Sequence, residues 1–370
     1  IFGVYGFTLR PYEKRLESQL LKMAGSLAIA DEERSAEAAA RIERLYADGK
    51  YHGVEARKKA RAALARGWKA LDTENYLIVH HSKNEALMKR IGREIEAMRT
   101  LYGELFPATG PMDSVCVVRV CRTRDEYHQY GGPPNTGGYW HPGNEELVFF
   151  DYSYTQRTLS EEEKKAMGKR RLTNDDSLLV LYHEAFHQYI HYAIGEFSPH
   201  DWFNEGYGDY FSGAALSDNT SRVLRIDPSP WRIHLAKDQC EHDEGFVPLE
   251  KLLRAERAEF YNRARIGHYY AAAWSFVFFL KNSKEVAAHP QWSQLLAVYF
   301  AEVKAASQAH LAQLGDGADL TKKQMAGYDA RRQAIDKALA GIDLAALEAQ
   351  WRKWIVDLRD PWPSQRKKRK

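Results

Sequence analysis

LYHEAFHQYIHYAIGEFSPHDWFNEGYGDYF (181–211) places three histidines four residues apart, with acidic residues further on, in a run rich in aromatic side chains. The preceding TNDDSLLVLY (173–182) has a capping-box pattern followed by an apolar run, which predicts the start of a helix. Gly195 and Pro199 are typical of the end of that helix, and Asp201 is placed to cap a second one. The stretch therefore predicts two helices joined by a turn.

The segment HEAFH (183–187) matches the pattern H-E-x-x-H. Each residue of a helix rotates by about 100°, so His183 and His187 share one face to within about 40°. Two imidazoles on one face can bind one zinc ion, and Glu184, one position further on, flanks the metal without needing to bind it. The pattern therefore indicates a zinc site in which Glu184 acts as general base toward the zinc-bound water.

A catalytic zinc ion needs a third protein ligand, and the longer pattern H-E-x-x-H-x-x-G-x-x-H does not supply it. Ile190 occupies the glycine position of that pattern, and Ala193 occupies its last histidine position. His191 lies on the same helix face, but the helix rise places it roughly 12 Å from His183, too far for one tetrahedral site. We therefore expect His191 to lie behind the site or at the surface.

The segment WFNEGYGDYF (202–211) offers the next candidate ligand. Glu205 lies near the start of the second predicted helix, and an antiparallel arrangement of the two helices would return it to the histidines. Asp209 follows one helical turn later, where it can accept the free ring N–H of a ligand histidine. Two acids four residues apart repel each other in a helix, which favours a positively charged partner. His200 and Asp201 are the alternative third ligands.

HEAFH followed by NEGYGDY resembles the gluzincin metallopeptidases, the thermolysin and zinc-aminopeptidase branch of the zincins. More narrowly, it is similar to bacterial zincin-like proteins of the peptidase MA-like kind, whose substrates are largely unassigned. The resemblance runs from about residue 75 to residue 300 and does not extend to residues 1–72. It implies one zinc ion with three protein ligands, which are His183, His187 and Glu205. It also implies that Glu184 is the general base and that Asp209 orients the first histidine.

The same resemblance points to residues around the substrate. YYAAAWSFVFFL (269–280) is similar to the later helix of the aminopeptidases, whose tyrosine stabilises the oxyanion. Tyr270 takes that place, with Tyr269 as its alternative. The aminopeptidase motif G-x-M-E-N has no match, so the resemblance does not imply an exopeptidase. Zincins hold peptide along an edge strand, for which EELVFFD (145–151) is the candidate. The neighbouring GGYWH segment would shape the substrate pocket through Gly138, Tyr139 and Trp140.

Strand patterns come before helical ones along this part of the chain. Three segments have the composition of strands: NYLIVHH (75–81), SVCVVRVC (114–121) and EELVFFD (145–151). A helix is predicted over 84–106, and the glycines and prolines of GGPPNTGGY (131–139) predict a loop. After residue 176 the chain is almost wholly helical. A small sheet followed by helices predicts an α+β fold.

The helices before the sheet carry no chemical motif. They are expected over DEERSAEAAARIERLYADG (31–49) and EARKKARAALARGWKAL (55–71). With the resemblance, this organisation predicts a zincin-like catalytic domain between two helical parts. The expected domains are a helical N-terminal extension over 1–72, a zincin-like metallopeptidase domain over 73–300, and a helical C-terminal region with a basic tail over 301–370.

The composition excludes several classes of protein. Lysine and arginine number 53 against 50 acidic residues, a net charge of +3, so there is no electrostatic case for nucleic-acid binding. Three cysteines without C-x-x-C spacing predict no thiolate metal site. The longest apolar run, at 271–280, is too short to span a membrane, so we expect no transmembrane segment. Because the chain opens with Ile, we expect that an N-terminal segment has been removed. The compartment stays open, with a secreted or extracytoplasmic bacterial protein as one option.

These features favour zinc-dependent hydrolysis of peptide bonds in a peptide or protein substrate, with Glu184 activating the water. Two alternatives stay open. A catalytically inactive zincin-like scaffold would bind zinc or peptide without turnover. A structural helical protein with a chance motif would bind no metal. The sequence does not predict the peptide bond that is cut.

Overall fold

The computed structural model describes most of the chain. The described residues are 32–108, 110, 112, 115–167, 171–195, 197–217, 222–314 and 320–361. The first 31 residues and the basic tail lie outside them. Contacts divide the chain into two units, residues 1–64 and residues 65–370. The domain borders expected at residues 72 and 300 stay predictions.

The first unit contains two described helices, α1 (Glu32–Leu45) and α2 (Val54–Ala62), which confirms a helical N-terminal part. Both are rich in Ala and Arg, with several Glu residues in α1 and two Lys residues in α2, and these residue types have high helix propensity. Arg61 on α2 donates from Nε to the hydroxyl of Tyr46 at 2.7 Å. This bond holds α2 against the turn that follows α1.

The second helix expected over 55–71 is too long, since α2 ends at Ala62. Gly67 follows with a φ of +89°, a conformation that suits glycine and does not continue a helix. The next residues form strand β1 (Lys69–Asp72), which pairs antiparallel with the following strand. Tertiary pairing therefore overrides the helix propensity of this segment.

The second unit is built on a mixed five-stranded sheet. The strands are β1, β2 (Tyr76–His80), β3 (Cys116–Cys121), β4 (Gly138–His141) and β5 (Glu146–Phe150). They lie in the order β1-β2-β3-β5-β4, with the three central strands parallel and the two outer strands antiparallel to their neighbours. Every residue of β2 and β5 is buried, as expected for strands covered on both faces. The sheet and the helices after it confirm the α+β fold.

The expected position of the edge strand is wrong. β5, the predicted edge strand, pairs with β3 on one side and with β4 on the other, so it lies inside the sheet. β4, part of which was predicted as a loop, ends the sheet order instead. Glycine and proline clustering in 131–137 concealed a strand of only four residues. Gly138, Tyr139 and Trp140 therefore lie on the edge strand itself.

Four helices lie between the sheet strands or directly after them: α3 (Glu85–Leu105), α4 (Arg124–Tyr130), α5 (Tyr152–Thr158) and α6 (Glu161–Met167). The two motif helices follow as α7 (Asn174–Ile194) and α8 (Asp201–Phe211), and then a hairpin of β6 (Ala214–Leu216) and β7 (Val223–Ile226). The later helices are α9 (Ile233–His242), α10 (Leu249–Arg254), α11 (Arg257–Phe260), α12 (Ile266–Asn282), α13 (Lys284–Ala288), α14 (Leu295–Leu314), α15 (Leu320–Ala338) and α16 (Leu344–Asp357). Within the described parts of the chain, no helix has the length and apolarity needed to cross a membrane.

Local signals place the ends of α7, whereas a tertiary contact holds the residue before α8. The capping box at Thr173 is present, and α7 ends at Gly195, whose φ is +99°. The expectation that Asp201 caps α8 is wrong, because His200 is the capping residue and Asp201 is the first residue of the helix. His200 is fixed there by the hydroxyl of Tyr299, which lies 2.8 Å from its backbone nitrogen and 2.9 Å from Nδ1.

The core beneath the motif helices is aromatic. Phe186 on α7 packs at 5.1 Å from the ring of Phe211 on α8, and Phe106 after α3 packs at 5.4 Å from Phe186. Trp202 and Phe203 are fully buried on the α8 side. Such large side chains bury much apolar area and hold the helix pair in a fixed relation to the sheet.

Candidate metal centre

Two glycines let α8 pack closely between α7 and α12. A Cβ on Gly208 would lie 2.8 Å from the ring of His183, and a Cβ on Gly206 would lie 2.7 Å from the backbone oxygen of Ala273. Both distances are shorter than packed atoms tolerate, so a larger residue would push the helices apart. The glycines of NEGYGDY therefore set the separation at which the acids of α8 meet the histidines of α7.

Three side chains converge between these helices. Candidate ligand atoms of His183, His187 and Glu205 all lie within 4.8 Å of one another. Glu205 Oε2 lies 3.0 Å from His183 Nε2 and 3.4 Å from His187 Nε2. Ligand bonds of roughly 2.0–2.2 Å place neighbouring ligand atoms about 3.3 Å apart in a tetrahedron. Both distances from Glu205 are close to that spacing, so the three side chains could hold a metal ion.

The other nitrogen of each imidazole faces an acceptor. His183 Nδ1 lies 3.3 Å from Asp209 Oδ1, and His187 Nδ1 lies 2.8 Å from the amide oxygen of Asn204. An acceptor at Nδ1 favours the tautomer with its proton there, which leaves the Nε2 lone pair free for a metal. Asp209 lies within ion-pair distance of His183, but its Oδ1 is not placed for a hydrogen bond to Nδ1. The predicted acceptance of the ring N–H and its effect on metal binding therefore stay predictions.

Asp209 also forms an ion pair with the side chain of Arg232. Arg232 Nε lies 2.5 Å from Asp209 Oδ2, and Arg232 Nη2 lies 3.4 Å from Oδ1. Full burial acts to raise the pKa of Asp209, but Arg232 and His183 outweigh it and hold that pKa below its usual range. Asp209 is therefore a carboxylate at neutral pH, shared between a histidine and an arginine.

The charges of the candidate ligands and of Asp209 affect one another. Burial acts to lower the pKa of His183, but the carboxylates of Asp209 and Glu205 outweigh it and raise that pKa well above its usual value. Burial acts to raise the pKa of Glu205, but His187 and His183 hold it well below its usual value. A metal ion would have to displace a proton from this cluster, so its affinity should fall as the pH falls.

Glu184 lies where the edge strand crosses α7. A Cβ on Gly138 of β4 would lie 3.1 Å from Glu184 Cγ and 2.6 Å from Val180 Cγ1, so only glycine allows this approach. Burial raises the pKa of Glu184, opposed by His183, by His187 and by a hydrogen bond to the Trp140 backbone. The carboxylate stands beside the candidate ligands without being one of them.

A cleft of about 420 Å³ opens onto His183, Glu184 and Asp209. Its apolar and aromatic walls include Tyr152, Val180, Trp231, Ile266 and Tyr270. Tyr269, the alternative to Tyr270, is buried away from the cleft walls and donates its hydroxyl hydrogen to Glu259 at 2.9 Å. Of the two tyrosines, Tyr270 therefore faces the cleft; its catalytic role stays a prediction.

The other residues expected near the substrate are spread over both faces of β4. Gly138 lines the cleft, whereas Tyr139 packs on Tyr127 at 5.8 Å on the face away from α7. Trp140 packs at 6.2 Å from His191. His191 is therefore at the end of α7 beside the edge strand, and the substrate roles of these residues stay predictions.

The alternative third ligands have other partners. His200 contacts Tyr299 as described, and Asp201 pairs with Arg257 at 3.3 Å. Three residues at the site were not anticipated: Asn204, Arg232 and Tyr261. Asn204 is signalled only by standing next to Glu205 in sequence. Arg232 and Tyr261 come from separate segments, and the hydroxyl of Tyr261 donates to Glu205 Oε1.

The region of the chain that matches a known protein family covers this site. Residues 177–297, about a third of the chain, match a family described as "Protein of unknown function (DUF1570)". The matched region contains α8, α12 and all but the first three residues of α7, and with them every candidate metal ligand. No curated protein matches the chain.

Proposed function

We propose that the chain is a zinc-dependent peptidase of the gluzincin type. The observation that carries this proposal is the convergence of His183, His187 and Glu205 beside Glu184. Of these residues, His183 and Glu184 line a cleft that the edge strand borders. Two imidazoles and one carboxylate are a ligand set that catalytic zinc sites use, with the fourth position open. When bound, zinc supplies a Lewis acid that polarises the scissile carbonyl and lowers the pKa of water.

Glu184 is the proposed general base. It takes a proton from the attacking water and delivers it to the leaving amine. Its position supports this role, because it flanks the ligands on the helix face that borders the cleft. Burial raises the pKa of its carboxyl, which makes it a stronger base than an exposed glutamate.

Tyr270 is the proposed donor to the oxyanion. Burial raises the pKa of its phenol well above the usual value, so the hydroxyl keeps its proton at neutral pH and can donate. Arg232 lies over the Tyr270 ring, 4.6 Å from its centroid, while it pairs with Asp209. This stacking fixes the ring at the cleft wall.

The substrate is proposed to lie along β4. This strand pairs with β5 on one edge and ends the sheet on the other, so an extended peptide can add to it by backbone hydrogen bonds. Gly138 brings the strand to within contact of Glu184. A peptide held there would pass the general base.

The test uses the whole chain loaded with zinc and an unfolded protein as substrate. Wild type should retain about one zinc ion per chain and cleave the substrate. Glu184→Gln should keep the metal and lose roughly 10²- to 10⁴-fold in kcat, because only the general base is removed. Glu162→Gln on the exposed face of α6 is the matched control and should cleave like wild type.

Two results would contradict the proposal at different levels. A wild-type chain that retains no zinc would contradict the proposed metal site. Zinc retention with equal residual cleavage by wild type and Glu184→Gln would leave a metal-binding scaffold without turnover.

A further inference from the structure

The two oxygens of Glu205 have different partners. Oε2 faces His183 Nε2 at 3.0 Å and His187 Nε2 at 3.4 Å. Oε1 accepts a hydrogen bond from the hydroxyl of Tyr261. The carboxylate is 5% exposed, so water does not compete freely for either oxygen. One oxygen is thus turned to the candidate metal position, and the other is engaged by a phenol.

Tyr261 is held in place from two sides. It follows α11 directly, and its ring meets the edge of the Tyr270 ring at 6.2 Å. The guanidinium of Arg257 lies over the Tyr261 ring, 4.5 Å from its centroid, and pairs with Asp201 one turn before Glu205 on α8. Tyr270 and Arg257 thus contact the phenol from two sides, and Arg257 links it to the helix that carries Glu205.

We propose that Tyr261 is a positioning residue that holds Glu205 as a one-oxygen ligand and thereby sets the affinity and coordination number of the metal. This inference rests on the proposed metal site. Tyr261 touches the ligand and not the metal, so it acts through Glu205.

The physical reason lies in the freedom of a carboxylate. A glutamate can bind a metal through one oxygen or through both, and rotation of its terminal bond exchanges the two modes. A hydrogen bond to Oε1 opposes this rotation and would leave Oε2 as the oxygen that binds the metal. The fourth position, which a reacting water needs, would then stay open. Partners of ligand side chains typically change metal affinity by about 10- to 100-fold.

The first measurement is zinc affinity, by competition with a chromophoric chelator on the metal-free whole chain. Tyr261→Phe removes one hydroxyl and keeps the ring, and it should weaken zinc binding by at least about tenfold. Tyr269→Phe is the matched control: it removes a phenol hydroxyl that binds Glu259, and its zinc affinity should equal that of wild type. The melting temperature of each metal-free variant shows whether folding has changed.

The second measurement is coordination, from the visible absorption of the chain loaded with Co²⁺. Wild type should show the intense bands of four-coordinate cobalt. Tyr261→Phe should shift toward the weaker bands of five-coordinate cobalt, because Glu205 can then add its second oxygen. Tyr269→Phe should keep the wild-type spectrum.

The outcomes separate this inference from the proposed function. A Tyr261→Phe chain with wild-type zinc affinity and an unchanged cobalt spectrum would overturn the inference alone, whatever its melting temperature, since a purely structural role lowers only stability. A wild-type chain that binds no zinc would overturn the inference and the proposed function together.

Discussion

Two buried glutamates of this protein have nearly equal exposure and opposite surroundings. Glu94 on α3 is 3% exposed and Glu205 on α8 is 5% exposed. Glu94 accepts from Arg90 Nε at 2.8 Å and from the hydroxyl of Tyr182, and it lies 3.6 Å from Arg93. Glu205 has one phenol donor on Oε1, whereas its other oxygen faces two imidazole nitrogens.

The difference shows that the role of a buried charge can be inferred from its partners. Donors surround Glu94, so its charge is satisfied by the chain and its role is structural. At Glu205, an acceptor oxygen meets two imidazole nitrogens, and each of these is an acceptor when its ring carries the proton on Nδ1. In that tautomer the group needs a proton or a cation between its members. The degree of burial therefore does not distinguish a structural carboxylate from a candidate metal ligand. The hydrogen-bonding partners of the carboxylate make that distinction.

The largest effect should come from removing Glu205. Glu205→Ala takes away one of three candidate ligands, so the chain should lose its zinc during purification, an affinity loss of more than about 100-fold. Metal analysis and chelator competition measure this. Retention of zinc at wild-type occupancy would mean that another residue, such as His200 or Asp201, supplies the third ligand.

The matched change at Glu94 should act on folding instead. Glu94→Ala leaves the buried hydroxyl of Tyr182 without this acceptor and Arg90 without this partner, at a cost of about 3 kcal/mol in the free energy of unfolding. Zinc affinity should stay within about twofold of wild type. Denaturant unfolding of the metal-free protein measures the first quantity. Equal stability of variant and wild type would contradict the structural role of Glu94.

The site was predictable from sequence only where helix periodicity relates its residues. His183 and His187 share a face because they are four apart, and the turn after α7 brings Glu205 back to them. Arg232 and Tyr261 reach the site through the tertiary packing of α8 with the segments around α9 and α12. No local pattern encodes that packing, so neither residue could be found from its neighbours in sequence.

The elements of the fold were likewise predictable only where a pattern within the local sequence indicates them. Long periodic segments such as α3 and α7 and the apolar strands β2, β3 and β5 were predictable, because their signal lies within one element. The two outer strands were not. β1 has a helical composition and β4 follows a glycine- and proline-rich loop, and both exist as strands because a neighbour pairs with them. The position of the edge strand beside Glu184 is therefore a property of the whole sheet.

A third buried carboxylate, Asp201, should make a smaller contribution, and its contribution to stability should depend on pH. Asp201 is 7% exposed, and its partner Arg257 at 3.3 Å is itself largely exposed. Its surroundings thus offer fewer donors than those of Glu94. Burial, with the nearby charge of Glu205, outweighs Arg257 and raises the pKa of Asp201 to about 6.

The sign of the effect follows from this raised pKa. In the unfolded chain the pKa of an aspartate is about 3.9, so between roughly pH 4 and pH 6 the folded protein binds the proton more tightly. The stability contributed by protonated Asp201 is present at low pH and is lost as the pH rises through about 6.

Asp201→Asn cannot titrate, so its stability relative to wild type should rise by about 2 kcal/mol between pH 4 and pH 7. Denaturant unfolding of both metal-free proteins at several pH values measures the difference. A constant difference would mean that Arg257 satisfies Asp201 as fully as the donors around Glu94 satisfy that carboxylate.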